Sequence, residues 1–418
     1  PTSLLSQNKT EVAQGCFGPY WAEDKDAPIP PVVTMGNITN WTATSALPEG
    51  RYLHGAVAFG DKLFTFGGAD ASQDAVYYNT VTASGPVAGA WTATTSLPES
   101  RYYHRVALRR SPASTTQGTV YITGGVVAAV ANDKVLYAPI FSSGTVGGWN
   151  NGSVLPESRL GHGAVVTDTN LYVVAGSTNV GNLFTAAQQS VLRAPIAANG
   201  SLGAWQAVAP LPVKRVLHST VYYHNRIYVL GGNDSSGVVT STVYYTSVQP
   251  DGSLGAWQQD TDSALPNANS QSAVTIVNNR IYIMGGASNG VYYADIRADG
   301  SLGAWTAQMD SPAVINAPAV AAIGNRIYII GGHDGAVRAQ VLFATPTVSG
   351  ISVPQARDLS VVIATAAADG FGVMDAAAHS IDISTYADCA LSAANSGWFA
   401  GTSKTLSLTG NTSYYLQL

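Results

Sequence analysis

An all-β protein assembled from repeated four-stranded sheets is predicted by three observations. Tryptophan recurs at near-regular intervals along the chain. Each recurrence is followed by the same succession of short alternating apolar runs and paired glycines. The composition is that of a turn-rich sheet protein: 418 residues with 43 Gly and 21 Tyr, 46% hydrophobic but only 11% charged, against roughly 25% charged in ordinary soluble domains. Tyrosine favours the half-buried pleated surface and glycine the tight turn, so this balance points away from helical and disordered classes. The net charge of −5 and the absence of any Lys/Arg run exclude a nucleic-acid footprint. No apolar run approaches the roughly 18 residues of a membrane span.

The repeat unit is read by aligning Trp41, Trp91, Trp149, Trp205, Trp257 and Trp305, which are 50, 58, 56, 52 and 48 residues apart. A Leu-Pro step follows the first five (Leu47-Pro48, Leu97-Pro98, Leu155-Pro156, Leu211-Pro212, Leu265-Pro266), and Ser311-Pro312 takes its place in the sixth. Next come an alternating run and a short turn. A second run ends in small residues: KLFTFGG (62–68), TVYITGG (119–125), NLYVVAG (170–176), RIYVLGG (226–232), RIYIMGG (280–286) and RIYIIGG (326–332). A third run of the AVYYNTV type leads through Asn199-Gly200, Asp251-Gly252 or Asp299-Gly300 to the next Trp. Period-two alternation with β-branched and aromatic residues makes each run a strand, and Asn-Gly or Asp-Gly tolerates the positive φ of a tight hairpin. The glycine pair lets the second strand end against a neighbouring backbone, and the Trp offers a plate to wedge against the next sheet. One such sheet cannot bury both faces, whereas six packed radially can.

The composite of apolar strand, paired Gly, Tyr and Trp resembles the kelch repeat, over about residues 40–346. That resemblance implies a six-bladed β-propeller. Complete sets of first to third strands start near His54, His104, His162, His218, Ser272 and Pro318, and a Trp strand follows only the first five. The spare Trp strand, NWTATSALP (40–48), is therefore expected as the outermost strand of the last blade, beside the run around Phe343, closing the ring without an open edge.

The predicted organisation is an extended arm (1–36), the propeller (37–346) and a small C-terminal β domain (347–418). The arm carries Pro28, Pro30 and Pro31, and its start at Pro1 suggests processing or trimming. The tail LSLTGNTSYYLQL (406–418) resembles the end of a fibronectin-type or immunoglobulin-like sandwich lacking its last strand. The arm is expected to fill that bare edge, in cis or from a neighbouring molecule. Cys16 and Cys389 would then be close enough for a disulfide; two buried thiols are the alternative. Low charge, abundant Ser, Thr and Asn, and sequons at Asn8, Asn37, Asn40, Asn151, Asn199, Asn233 and Asn411 suit an extracellular, periplasmic or cell-surface protein.

The most conspicuous polar element is Arg-x-x-His after Leu-Pro: Arg51/His54, Arg101/His104, Arg159/His162 and Arg215/His218, with Glu157 (and Glu49 and Glu99) just before. Two readings are open. The residues form a ring at one channel mouth that grips an anionic sugar or polymer, or each Arg and His fastens the connection between blades. Recurrence at the blade period favours fastening. Blades five and six carry Asn269/Ser272 and Ile315/Pro318 instead, which leaves the ring one-sided. No metal-ligand spacing, phosphate loop or nucleophile elbow is present, so neither metal nor cofactor is expected. Kelch propellers include copper radical oxidases of the galactose oxidase type and sialic acid mutarotases. The former need a Tyr–Cys cross-link, for which the two cysteines lie outside the repeats; the latter need Arg and Glu converging on the channel. The expectation is a binding or assembly module for a glycan or protein. The alternatives are a structural subunit of an extracellular filament or homo-oligomer joined through the arm, and a mutarotase-like enzyme.

Overall fold

Each predicted module folds as one antiparallel four-stranded sheet in the computed structural model, which describes residues 32–70, 73–111, 114–286, 288–297, 299–352, 379–385, 390–399 and 414–417. Blade 1 comprises Gly55–Phe59, Lys62–Phe66, Val76–Thr80 and Thr92–Ala93. Blade 2 comprises Arg105–Ser111, Ser114–Thr123, Val135–Phe141 and Asn150–Asn151. Blades 3, 4 and 5 repeat the pattern from Gly163, Ser219 and Ser272. Blade 6 contains Ala319–Ile323, Arg326–Ile330 and Val341–Ala344, and its outer strand is Thr42–Thr44 from the other end of the chain. Thr42 pairs with Phe343 and Thr44 with Val341, so the ring closes as the repeat phase requires.

Two ladders tie blade to blade. Each outer-strand indole donates to a backbone carbonyl of the preceding blade's outer segment: Trp91 to Ser45, Trp149 to Thr95, Trp205 to Ser153, Trp257 to Ala209, Trp305 to Ser263 and Trp41 to Met309, at 2.8–3.3 Å. The plate thus leans back on the blade before it, not on the next one, because that is where an acceptor carbonyl waits. The second ladder runs the other way. The buried hydroxyls of Tyr121, Tyr172, Tyr228 and Tyr328 donate to Gly200, Gly252, Gly300 and Gly85, in the outer hairpin of the following blade, at 2.7–2.9 Å. Blade 1 carries Phe64 at this place. Tyr282 of blade 5 faces blade 6, whose outer strand comes from the N-terminal side and therefore has no such hairpin; its hydroxyl makes no corresponding bond.

Apolar side chains fill the blade interfaces. Phe59, Phe64 and Phe66 meet Val120, Ile122 and Ile140 between blades 1 and 2. Leu63, Val81 and Trp91 meet Tyr328, Ile330 and Val341 between blades 1 and 6. Among the described residues every regular element is a strand.

The chain divides into two compact units, residues 38–345 and residues 1–37 with 346–418. In the second unit Val32–Met35 pairs antiparallel with Val348–Ser352, and Ala390–Phe399, His379–Thr385 and Tyr414–Gln417 form a three-stranded sheet with His379–Thr385 in the middle. The arm strand pairs with the first strand after the repeats rather than with the late Tyr414–Gln417 edge. These two segments adjoin the ends of the Thr42–Thr44/Val341–Ala344 pair, so little loop-closure entropy separates them. Cys16 and Cys389 lie outside the described residues.

Candidate functional site

The inner strand of each blade begins where the connection from the previous blade arrives. The second strand runs antiparallel and ends on that same side. The inter-blade connections and the loops between second and third strands therefore share one face, and bridges such as Tyr102 to Val126, Leu160 to Ser177 and Val216 to Asn233 join them.

The eight Arg and His side chains of the repeated element are all buried in these connections. Arg51 donates through Nη1 to Gly67 O and Ala75 O, and Arg101 in the same way to Gly124 O and Lys134 O, at 2.9–3.2 Å. Arg159 bonds Ser190 and Glu157, and Arg215 bonds Thr242 and the Lys214 carbonyl. Each guanidinium thus pins the loop between second and third strands of the blade it leads into, or its own approach. The histidines are wedges. A Cβ at the first glycine of the preceding blade's pair would stand 3.0 Å from the ring of His54 (Gly331), His104 (Gly67) or His162 (Gly124), while the histidine's own Cβ lies against the second glycine of its own blade. His162 Nε2 and Thr123 Oγ1 are 2.8 Å apart. Burial holds the imidazoles neutral: it pushes His104 and His218 down to about 3, and His54 and His162 well below the usual histidine range. Glu157, by contrast, is 59% exposed.

Between Arg and His lies a second ring. Leu53, Tyr103, Gly161, Leu217, Gln271 and Ala317 all adopt left-handed backbone conformations, with φ from +47° to +58°. Their backbones form a closed circle: Leu53 N donates to Ala317 O, Tyr103 to Leu53, Gly161 to Tyr103, Leu217 to Gly161, Gln271 to Leu217 and Ala317 to Gln271, at 2.7–3.2 Å. Leu, Tyr and Gln in this region cost of order 1–3 kcal/mol each and persist only where their surroundings over-determine them; the six-bond circle does so here. The result is a collar around the axis, with the side chains of Leu53, Leu217 and Ala317 buried in it.

Aromatic groups gather on one side of the collar. Tyr52, Tyr102 and Tyr103 pack against Leu53, Ala69 and Ala317. The rings of Tyr102 and Tyr103 are 5.7 Å apart, and His333 lies 5.2 Å from Tyr52. On the other side the loop between second and third strands of blade 3, sixteen residues from 175 to 190, brings Leu183 and Phe184 onto Ala187, Val216 and Leu217. The same loop in blade 5 has five residues, 286–290.

Two residues beyond Tyr103 lies Arg105, which sequence reading passed over. Register makes it equivalent to Gly55, Gly163, Ser219, Ala273 and Ala319 at the head of the other inner strands. Five blades carry a small residue there and one carries a guanidinium. Its Nη2 donates to His218 O at 3.5 Å, so it reaches past blade 3 to blade 4. Burial lowers it to about 10, and Tyr103 is the partner that acts against this shift. Among the described residues it has no ion pair. The signal was legible in the four residues after each Arg, where Gly55, Gly163 and Ser219 align with it, but only once the inner strands are placed around an axis. Chemically, the arrangement offers a cation beneath an apolar and aromatic rim, without a carboxylate beside it.

Residues 161–347 match the family described as the KLHDC2/KLHL20/DRC7 Kelch-repeats domain. The chain is 31% identical over 144 residues, 34% of its length, to Kelch-like protein 41 of Rattus norvegicus, and this match spans 22% of that protein. A solved structure titled "Structure of YjhT" superposes with a TM-score of 0.58 at 14% identity, covering 74% of this chain and 99% of the other. The closed ring of six sheets makes residues 38–345 a six-bladed β-propeller, and its repeats match the kelch family over residues 161–347.

Proposed function

We propose that the propeller is a binding module that presents its collar face to a protein or glycan partner at the cell surface or outside the cell. The observation that carries this reading is the difference between the two faces. The opposite face repeats one device, a tight turn capped by the neighbouring blade's tyrosine. The collar face varies from blade to blade, with the long loop of blade 3, the short ribbon Val126–Val127/Val130–Ala131 in blade 2 and the tyrosines of blades 1 and 2. Val130 and Val238, in its loops, are 66% and 59% exposed. Conserved scaffolding with variable loops on one side is how rigid repeat folds host recognition. Low charge and the exposed sequon residues Asn40, Asn151 and Asn199 support the extracellular setting. A mutarotase-like reading needs an acid beside an axial Arg; Glu157 instead pairs at 3.0 Å with Arg159 in the connection into blade 3.

The test is photo-crosslinking from a reactive residue at position 102 and, separately, at position 201 on the opposite face. A partner captured from position 102 alone, and lost when Tyr52→Ala is added, supports the reading. Equal capture from both faces overturns it.

A further inference from the structure

We propose that the axial channel beneath the collar holds one anion, a carboxylate or an inorganic oxyanion, on Arg105. The starting point is the register of the six inner strands. At the position opposite the residue before the small pair, five blades carry Gly, Ala or Ser, and blade 2 carries Arg. The residue paired with it also changes character: Thr123 stands where Phe66, Val174, Leu230, Met284 and Ile330 stand in the other blades. A polar pair has replaced an apolar one at a single blade.

The same position in blade 3 cannot carry a side chain at all: a Cβ at Gly163 would stand 2.0 Å from Thr220 Oγ1 and 3.0 Å from His218 Nε2. The guanidinium crosses blade 3 and reaches the first residues of blade 4, where Nη2 meets His218 O at 3.5 Å, a long bond that spends little of its five-donor capacity. Inner strands are the free edges of their sheets, so their outward N–H and C=O groups line the axis as well.

Among the described residues, the titratable groups coupled to this guanidinium are Tyr103 from the collar and the imidazoles of His104, His162 and His218. None is acidic at neutral pH. Nδ1 of His162 is buried without a hydrogen-bond partner. A partly buried guanidinium in neutral surroundings is costly unless an anion compensates it. A planar oxyanion suits the fork of a guanidinium better than a spherical ion does. The site is separate from partner binding at the rim and does not require it.

The experiment is thermal unfolding of the full chain at pH 7.5 and constant ionic strength, with chloride replaced stepwise by acetate in one series and by phosphate in the other. The wild type is compared with Arg105→Gln and Arg105→Lys. Phosphate stabilises most proteins by exclusion, without saturating, so the diagnostic is a saturable increment present in the wild type and absent from Arg105→Gln. At ten times the dissociation constant it amounts to a rise of about 2 °C. Arg105→Lys keeps part of it and guards against a misfolded Gln variant. A saturable response to acetate identifies a carboxylate site, one to phosphate an oxyanion site, and either supports the proposal. Parallel, non-saturating curves for all three proteins overturn it.

Discussion

Lowering the pH from 7 to 5 is expected to remove most of the propeller's stability, and the four wedge histidines supply the magnitude. In the folded chain burial keeps His104 and His218 down at about 3 and His54 and His162 well below the ordinary range; in the unfolded chain each titrates near 6.5. A depressed folded pKa means the unfolded state binds more protons, so stability is present above the unfolded pKa and is lost as pH falls through it, until the folded pKa is reached. Four such groups give a slope of about 4 to 5 kcal/mol per pH unit between pH 6 and pH 5. Integrated from pH 7 to pH 5 this is about 2 kcal/mol for each histidine, about 8 kcal/mol in all. That is comparable with the whole stability of a typical domain, about 5–15 kcal/mol. The lowered carboxylates Glu99, Asp251, Asp299 and Asp334 release their contribution only below their unfolded range near 4, outside this window. His224, also lowered by burial, adds at most one further proton. Urea unfolding followed by tryptophan fluorescence at half-unit pH steps between 7 and 5 measures the slope. Replacing His104 by Gln should reduce it by about a quarter. A slope of one proton or fewer would refute the reasoning, since the imidazoles would then be titrating in the folded ring.

Three other outcomes follow from the ladders and turns. Trp41→Ala removes the clasp that joins the closing strand to blade 5 and should cost about 3–5 kcal/mol by urea midpoint; a loss under 1 kcal/mol would mean that the strand does not hold the ring. Tyr172→Phe strands the Gly252 carbonyl and should cost about 1–2 kcal/mol, whereas Tyr282→Phe, with no glycine carbonyl before it, should be close to neutral; equal losses in calorimetry would contradict the ladder. Gly124→Ala meets both a φ of +54° and an Arg159 carbonyl 2.2 Å from the new Cβ, and should cost about 3 kcal/mol or more. Gly324→Ala, with φ +58° and open space, should cost about 1 kcal/mol. Similar unfolding midpoints for the two variants would contradict the packing.

Much of the architecture was legible because the repeat states it six times. The position of Trp41 in the spare outer strand followed from counting strand sets against tryptophans, and its pairing with the run at Phe343 needs no more than that phase. Residues acting across blades were less legible. Arg51 and His54 carry the same letters whether they line a mouth or fasten a connection; the loop of the blade they enter, which Arg51 bonds, and the preceding blade's glycine, which meets the His54 ring, decide it. Asn233 satisfies a sequon yet is buried, with Nδ2 donating to Gly237 O, because its loop turns back on itself.

The order of apolar runs, small pairs and Trp therefore determined the class of fold, the number of blades and the way the ring is closed, since each depends on periodicities local to the chain. The collar of left-handed residues, the backward lean of the tryptophans and the lone guanidinium at the axis were decided only when the six sheets met. Each depends on a carbonyl contributed by a different blade, roughly fifty or more residues away, and short-range pattern holds no record of such distant partners.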